Sequence, residues 1–170
     1  APISYELDGV QYITVLAGWG GLASFGLEPF REHGWRYKGD GIRVLSFSLK
    51  GDHQLPKTSA PAPFAPIELG GNEIEIDDDL AFEGYVLYHQ ASCAICHGSD
   101  AHSVGAAAPD LRESRTLLNY STFRSIVVEG ALLEKNMPLF DDLRESEVQA
   151  IYEYLLQQTI VANDALTSAG

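Results

Sequence analysis

Cysteine and methionine are nearly absent from this 170-residue chain, which has two of the first and one of the second. A framework of several disulfides is thereby excluded. Basic residues are scarce as well, 11 against 24 acidic ones, for a formal net charge of −13. Binding to nucleic acid requires a basic face for the phosphates, so no nucleic-acid partner is expected. No run approaches the roughly 18–20 apolar residues that crossing a bilayer requires, so no membrane span is expected either. A charged segment followed by an apolar one is also missing at the start, so Ala1 does not read as the opening of a signal peptide. Either a leader has been removed or the chain is cut from something longer.

What is present is ordinary for a globular protein: 45% hydrophobic and 21% charged residues, which argues against disorder. The charge is unevenly placed. Residues 1–50 hold five acids and five bases, so the whole of the −13 falls between 51 and 170. A boundary near residue 50 predicts two regions with different surroundings.

Residues 3–7 and 10–16 are rich in β-branched and aromatic types and flank Asp8-Gly9, a strong two-residue hairpin signal. Residues 43–49 read as a third strand. So few strands make a poor core, and residues 1–50 should need a partner sheet. From 51 to 79 come Pro56, Pro61, Pro63 and Pro66, then Gly70-Gly71 and Asp77-Asp78-Asp79. Spaced prolines favour extended geometry, so this stretch reads as a semi-rigid connector, with a disordered tail as the other reading. Beyond it the pattern is helical. Leu80, Gly84, Leu87, Tyr88 and Ala91 give an apolar face over 80–92, and a second helix is expected at 119–130 with Phe123, Ile126 and Val127 inward. The clearest helix is 146–158, capped by Ser146, with Val148, Ile151, Tyr152 and Leu155 as its buried stripe.

Both cysteines lie in Cys93-Ala94-Ile95-Cys96-His97. Cys-x-x-Cys-His is the attachment motif of c-type haem. Two thiols add to the two vinyl groups on one porphyrin edge, and the adjacent histidine faces the iron. A redox disulfide would instead expect a strand before the motif, and a zinc site would need two more ligands at sensible spacing. Met137, in Asn136-Met137-Pro138, is the candidate for the second axial position, against the alternative of a gap-filling core residue. His102 and His89 are its rivals, though histidines are more often at the surface. Pro109 is either a plain turn residue or the site of a backbone carbonyl that accepts the other imidazole N–H of His97. Histidine and methionine together fill both axial positions, which makes an electron carrier rather than a catalyst. Acidic charge would steer basic or dipolar partners, with rates reduced by salt.

From 80 to 158, with Gly84-x-x-x-Tyr88, Cys93-Ala-Ile-Cys-His97, Ala108-Pro-Asp-Leu111, Asn136-Met-Pro138 and Ile151-Tyr-Glu-Tyr-Leu155, the chain resembles a class I cytochrome c. Tyr5 to Gly21, ending in Ala-Gly-Trp-Gly-Gly, and Gly41 to Phe47 are similar to the closing strands of the eight-bladed propeller in quinohaemoprotein alcohol dehydrogenases. The resemblance implies a mainly α chain in three parts: terminal propeller strands at 1–50, a linker at 51–79 and a cytochrome c domain at 80–170. It further implies pyrroloquinoline quinone and calcium in a missing upstream propeller polypeptide, with Trp19 and Gly20 near the quinone. Electrons would pass from the reduced quinone to the haem c, and then singly to an acceptor such as a blue copper protein or another cytochrome, in the periplasm. The alternative is a stand-alone periplasmic electron-carrier cytochrome. The neutral, strand-rich first 50 residues favour the enzyme reading, because they lack a core of their own.

Overall fold

The computed structural model describes residues 1–17, 43–55, 63–70, 74–103 and 108–169. Among these described residues lie three strands, β1 (Ile3–Leu7), β2 (Val10–Ala17) and β3 (Arg43–Ser48), then four helices, α1 (Asp78–Gln90), α2 (Cys93–His97), α3 (Tyr120–Val128) and α4 (Glu145–Ala169). Short 3-10 turns at Leu111–Glu113, Arg115–Leu118 and Leu133–Lys135 join the helices.

The strands form one antiparallel sheet in the order β1-β2-β3. Asp8 and Gly9 both take positive φ, 53° and 73°. That pair matches the right-handed twist of the flanking strands and sets Leu7 opposite Val10. Tyr5 stacks on its direct partner Tyr12, with ring centroids 5.4 Å apart. Leu16 is 73% exposed and Phe47 51%, and they lie on opposite faces. Among the described residues, then, neither face of the sheet is covered across its width.

The core belongs to the helical part. Tyr88 of α1, Leu117, Phe123 and Val127 around α3, and Val148, Ile151, Tyr154 and Leu155 of α4 form one buried cluster. Within the expected stripe of α4, Tyr152 is only half-buried, and its neighbour Tyr154 is the fully buried ring. Helices α1 and α4 meet almost backbone to backbone at Gly84. A Cβ added there would lie 1.9 Å from the Ala150 carbonyl oxygen and 2.9 Å from Tyr154 Cβ. Gly84→Ala should therefore force the helices apart and cost about 1–3 kcal/mol, read as a lowered thermal midpoint.

Helix starts and stops depart from the sequence reading in three places. Asp77, rather than all three aspartates, stands outside α1. Its carboxylate accepts from the Asp79 and Leu80 N–H groups at 3.1 and 3.0 Å, while Asp78 and Asp79 enter the first turn. Ser146 does not cap α4. The helix starts one residue earlier, and Glu147 reaches back to accept the Arg144 N–H at 2.8 Å. Helix α4 also runs on to Ala169 instead of ending at 158. Its polar residues Thr159, Asn163 and Thr167 bond to the carbonyls four residues before them and so do not break it.

The second half of the expected connector is not a free spacer. Ile67 donates its N–H to the Arg112 carbonyl at 2.9 Å, and its own carbonyl accepts from Asn163 Nδ2 at 3.0 Å. Ile67, Leu69 and Ile76 pack on the helical core. These residues form a strap along the helices. Pro56, Pro61 and Gly71 of the connector lie outside the described residues. No helix among the described residues is long and apolar enough to cross a membrane.

Candidate functional site

The site is one helical turn. Chain reversal after α1 is made by Ser92, at φ 64°, and α2 begins at Cys93. Positions i, i+3 and i+4 of a helix share a face, so Cys93, Cys96 and His97 point to one side. The turn ends at Gly98, with φ 85°, where a Cβ would sit 2.0 Å from the His102 carbonyl oxygen. Only glycine meets both demands. Both cysteines are unpaired and half-buried. Burial pushes the Cys93 thiol up to about 11, which keeps it in the neutral form.

His97 is buried, and its Nδ1 lies 2.8 Å from the Pro109 carbonyl oxygen. A carbonyl only accepts, so Nδ1 carries the proton and Nε2 the lone pair. Nε2 has no hydrogen-bond partner among the described residues. Burial holds the imidazole below its usual pKa, outweighing the upward pulls of the Pro109 carbonyl and the Asp110 carboxylate. A neutral ring with one nitrogen committed and the other open is the form that ligates a metal. Two thiols and such an imidazole on one face of a single turn fit the edge-on attachment of a haem.

The loop that carries Pro109 is pinned from several sides. Asp110 is buried and paired through both oxygens with Arg112, at 2.9 and 2.8 Å. It also accepts the Ser103 N–H at 3.2 Å, while Ser103 Oγ donates to the Ala108 carbonyl at 2.6 Å. Removing one partner of this buried pair would leave an uncompensated charge and cost about 3–5 kcal/mol. From the other side Tyr88 donates its hydroxyl to the Gly98 carbonyl at 2.8 Å. The sequence assigns no role to Gly98, Ser103 or Arg112 and presents Asp110 only within Ala108-Pro-Asp-Leu111, although Asp110 and Arg112 stand two residues apart as a charge pair.

Met137 stands on another loop, half-buried, after Asn136 at φ 65°. Its N–H bonds to the Leu132 carbonyl at 3.3 Å, and Phe140 ties the loop to α3 through the Val127 carbonyl at 2.9 Å. Met137 is not part of the hydrogen-bond network that joins His97 to Pro109. Of its rivals, His89 sets Nδ1 2.9 Å from the Tyr85 carbonyl within α1, and the His102 ring lies 6.4 Å from that of Phe64. Trp19 and Gly20 lie outside the described residues.

Residues 80–155 match the family model for cytochrome c oxidase, cbb3-type, subunit III. Over 160 residues the chain is 38% identical to the quinohemoprotein alcohol dehydrogenase ADH IIB of Pseudomonas putida, covering 93% of this chain and 22% of that protein. Residues 80–155 form a cytochrome c domain, similar to the cytochrome part of quinohaemoprotein alcohol dehydrogenases. The dehydrogenase subunit of a quinone-dependent alcohol dehydrogenase from Komagataeibacter europaeus is 32% identical over 160 residues, 92% of this chain and 21% of its own length. The solved structure of quinohemoprotein alcohol dehydrogenase ADHIIG from Pseudomonas putida superposes with a TM-score of 0.68 at 31% identity, over 93% of this chain and 22% of that one. The chain thus spans about a fifth of the length of the relatives it matches. A cytochrome c domain implies haem c, and Cys93–His97 of α2 lies inside the matched span.

Proposed function

We propose that this chain moves single electrons, taking them from a reduced quinone in an upstream dehydrogenase part and passing them to an external acceptor during alcohol oxidation. The observation that carries the reading is His97, a buried neutral imidazole whose Nδ1 is committed to Pro109 and whose Nε2 keeps its lone pair. In the proposed site Cys93 and Cys96 would hold the haem covalently, each S–H adding across a vinyl double bond to give a thioether with no oxidant consumed. The His97 imidazole nitrogen and the Met137 thioether sulfur would hold the iron. A haem held by these residues would supply one-electron chemistry without a position for oxygen or substrate. The chain's own residues keep the imidazole neutral, fix its ring plane through Pro109 and hold the loop around it through Asp110.

Pyrroloquinoline quinone and calcium belong, in this proposal, to the upstream part. The names of the relatives support the quinone, and the uncovered sheet of β1, β2 and β3, within a neutral first 50 residues, supports continuation into a larger β structure. Trp19 and Gly20 are placed near the quinone by the Ala17–Gly21 resemblance alone. Haem attachment to chains of this kind points to the periplasm. A blue copper protein or another cytochrome would be the acceptor, drawn by acidic charge and less strongly as salt rises. The test is anaerobic addition of an alcohol to the full-length protein loaded with quinone and haem, which should bring up the ferrous haem spectrum. If dithionite reduces the haem and alcohol does not, the link to alcohol oxidation falls.

A further inference from the structure

We propose that Phe64 and Arg112 are positioning residues for His97: the strap clamps the guanidinium that, through Asp110, aims the Pro109 carbonyl at the imidazole. The proposal rests on the haem reading above. Its contacts are continuous. The Arg112 guanidinium carbon lies 4.4 Å from the centroid of the Phe64 ring, within cation–π range. Nε and Nη2 of Arg112 donate to the two oxygens of Asp110 at 2.9 and 2.8 Å, and the two side chains are only 11% and 7% exposed. The Pro109 carbonyl shares a rigid peptide plane with the Asp110 nitrogen, so turning Asp110 turns the acceptor. The same turn is held by the strap too, its backbone through Ile67 N–H to the Arg112 carbonyl at 2.9 Å and its Glu113 side chain through Ala65 N–H to Oε1 at 2.7 Å.

Arg112 is therefore gripped at the head by a ring and at the main chain by a hydrogen bond, both from residues 64–67. An ion pair that served only stability would need neither. The consequence is electronic. A well-made bond from Nδ1 to Pro109 raises the donor strength of His97 and favours the ferric state, so loosening the clamp should raise the potential. The linker would then set the working potential of the domain it leads into.

The test compares the full-length, haem-loaded protein with its Phe64→Ala, Phe64→Tyr and Arg112→Lys variants by redox titration. Phe64→Ala should shift the ferrous-to-ferric ratio at fixed applied potential about threefold toward ferrous, roughly 30 mV at 59 mV per tenfold. Exchange of the His97 Nδ1 proton, followed by NMR in the ferrous state, should quicken about tenfold in the same variant. Arg112→Lys, which keeps the charge but loses the fork, should move both in the same direction. Phe64→Tyr should keep the parent values. A purely structural role would lower the thermal midpoint and leave potential and exchange unmoved, and that result overturns the clamp. A denaturing gel stained for haem is run alongside. A band in the parent with no shift in the variants overturns the clamp alone, whereas no band in the parent overturns the haem reading and the clamp with it.

Discussion

On a denaturing gel the parent protein is expected to keep its haem colour, and its mass should exceed that of the polypeptide by one haem. A thioether survives detergent and heat, whereas axial ligation alone does not. Cys93→Ala or Cys96→Ala should leave a single attachment and a weaker band, and the double variant should lose the band entirely. The two thiols stand at i and i+3 of one helical turn, next to the buried imidazole, so no other pair of side chains can substitute for them. Quantitative reaction of both thiols with an alkylating reagent in the purified parent would contradict covalent attachment.

Replacing Met137 should change the colour and the potential while the haem stays attached. Thioether ligation favours ferrous iron, so Met137→Ala or Met137→His should lower the potential by on the order of a hundred millivolts, a fraction of the ≈ 0.8 V range set by axial ligation. The sulfur-to-iron charge-transfer absorption of the ferric state should disappear at the same time. Its survival in Met137→Ala would show that another group holds the iron, with His102 the next to replace. Because Met137 sits on a loop separately tied to α3 through Phe140, the change should leave the Cys93–His97 turn and its bond to Pro109 in place.

The residues differ in how openly they state their roles. Asp8-Gly9 announced a hairpin because few dipeptides accept positive φ twice, and Cys93 to His97 announced a haem because the chemistry itself fixes the spacing. Strap residues Ile67, Leu69 and Ile76 gave no such signal. They are too irregularly spaced for a helix or a strand, and their partners Arg112 and Asn163 lie far along the chain. Ser146 misled because the N-terminal donors of α4 are served by Glu147 reaching backwards, which a search for a hydroxyl cap does not find. In the sequence Gly84 shows only as a member of the apolar face of α1 and of the Gly84-x-x-x-Tyr88 motif. Its role as the contact point of two backbones depends on α4, which begins about sixty residues later.

Strands β1 and β3 are the outer members of their sheet, and each leaves one row of N–H and C=O groups without a ladder partner among the described residues. Such rows are templates onto which another extended chain can zip. Ile3, Leu7 and Val44 stand beside them, largely exposed. The repulsion that keeps acidic chains apart comes from beyond residue 50, while this end is neutral. Wherever these strands are left open, they, and not the helical domain, should set the concentration at which molecules begin to stick to one another.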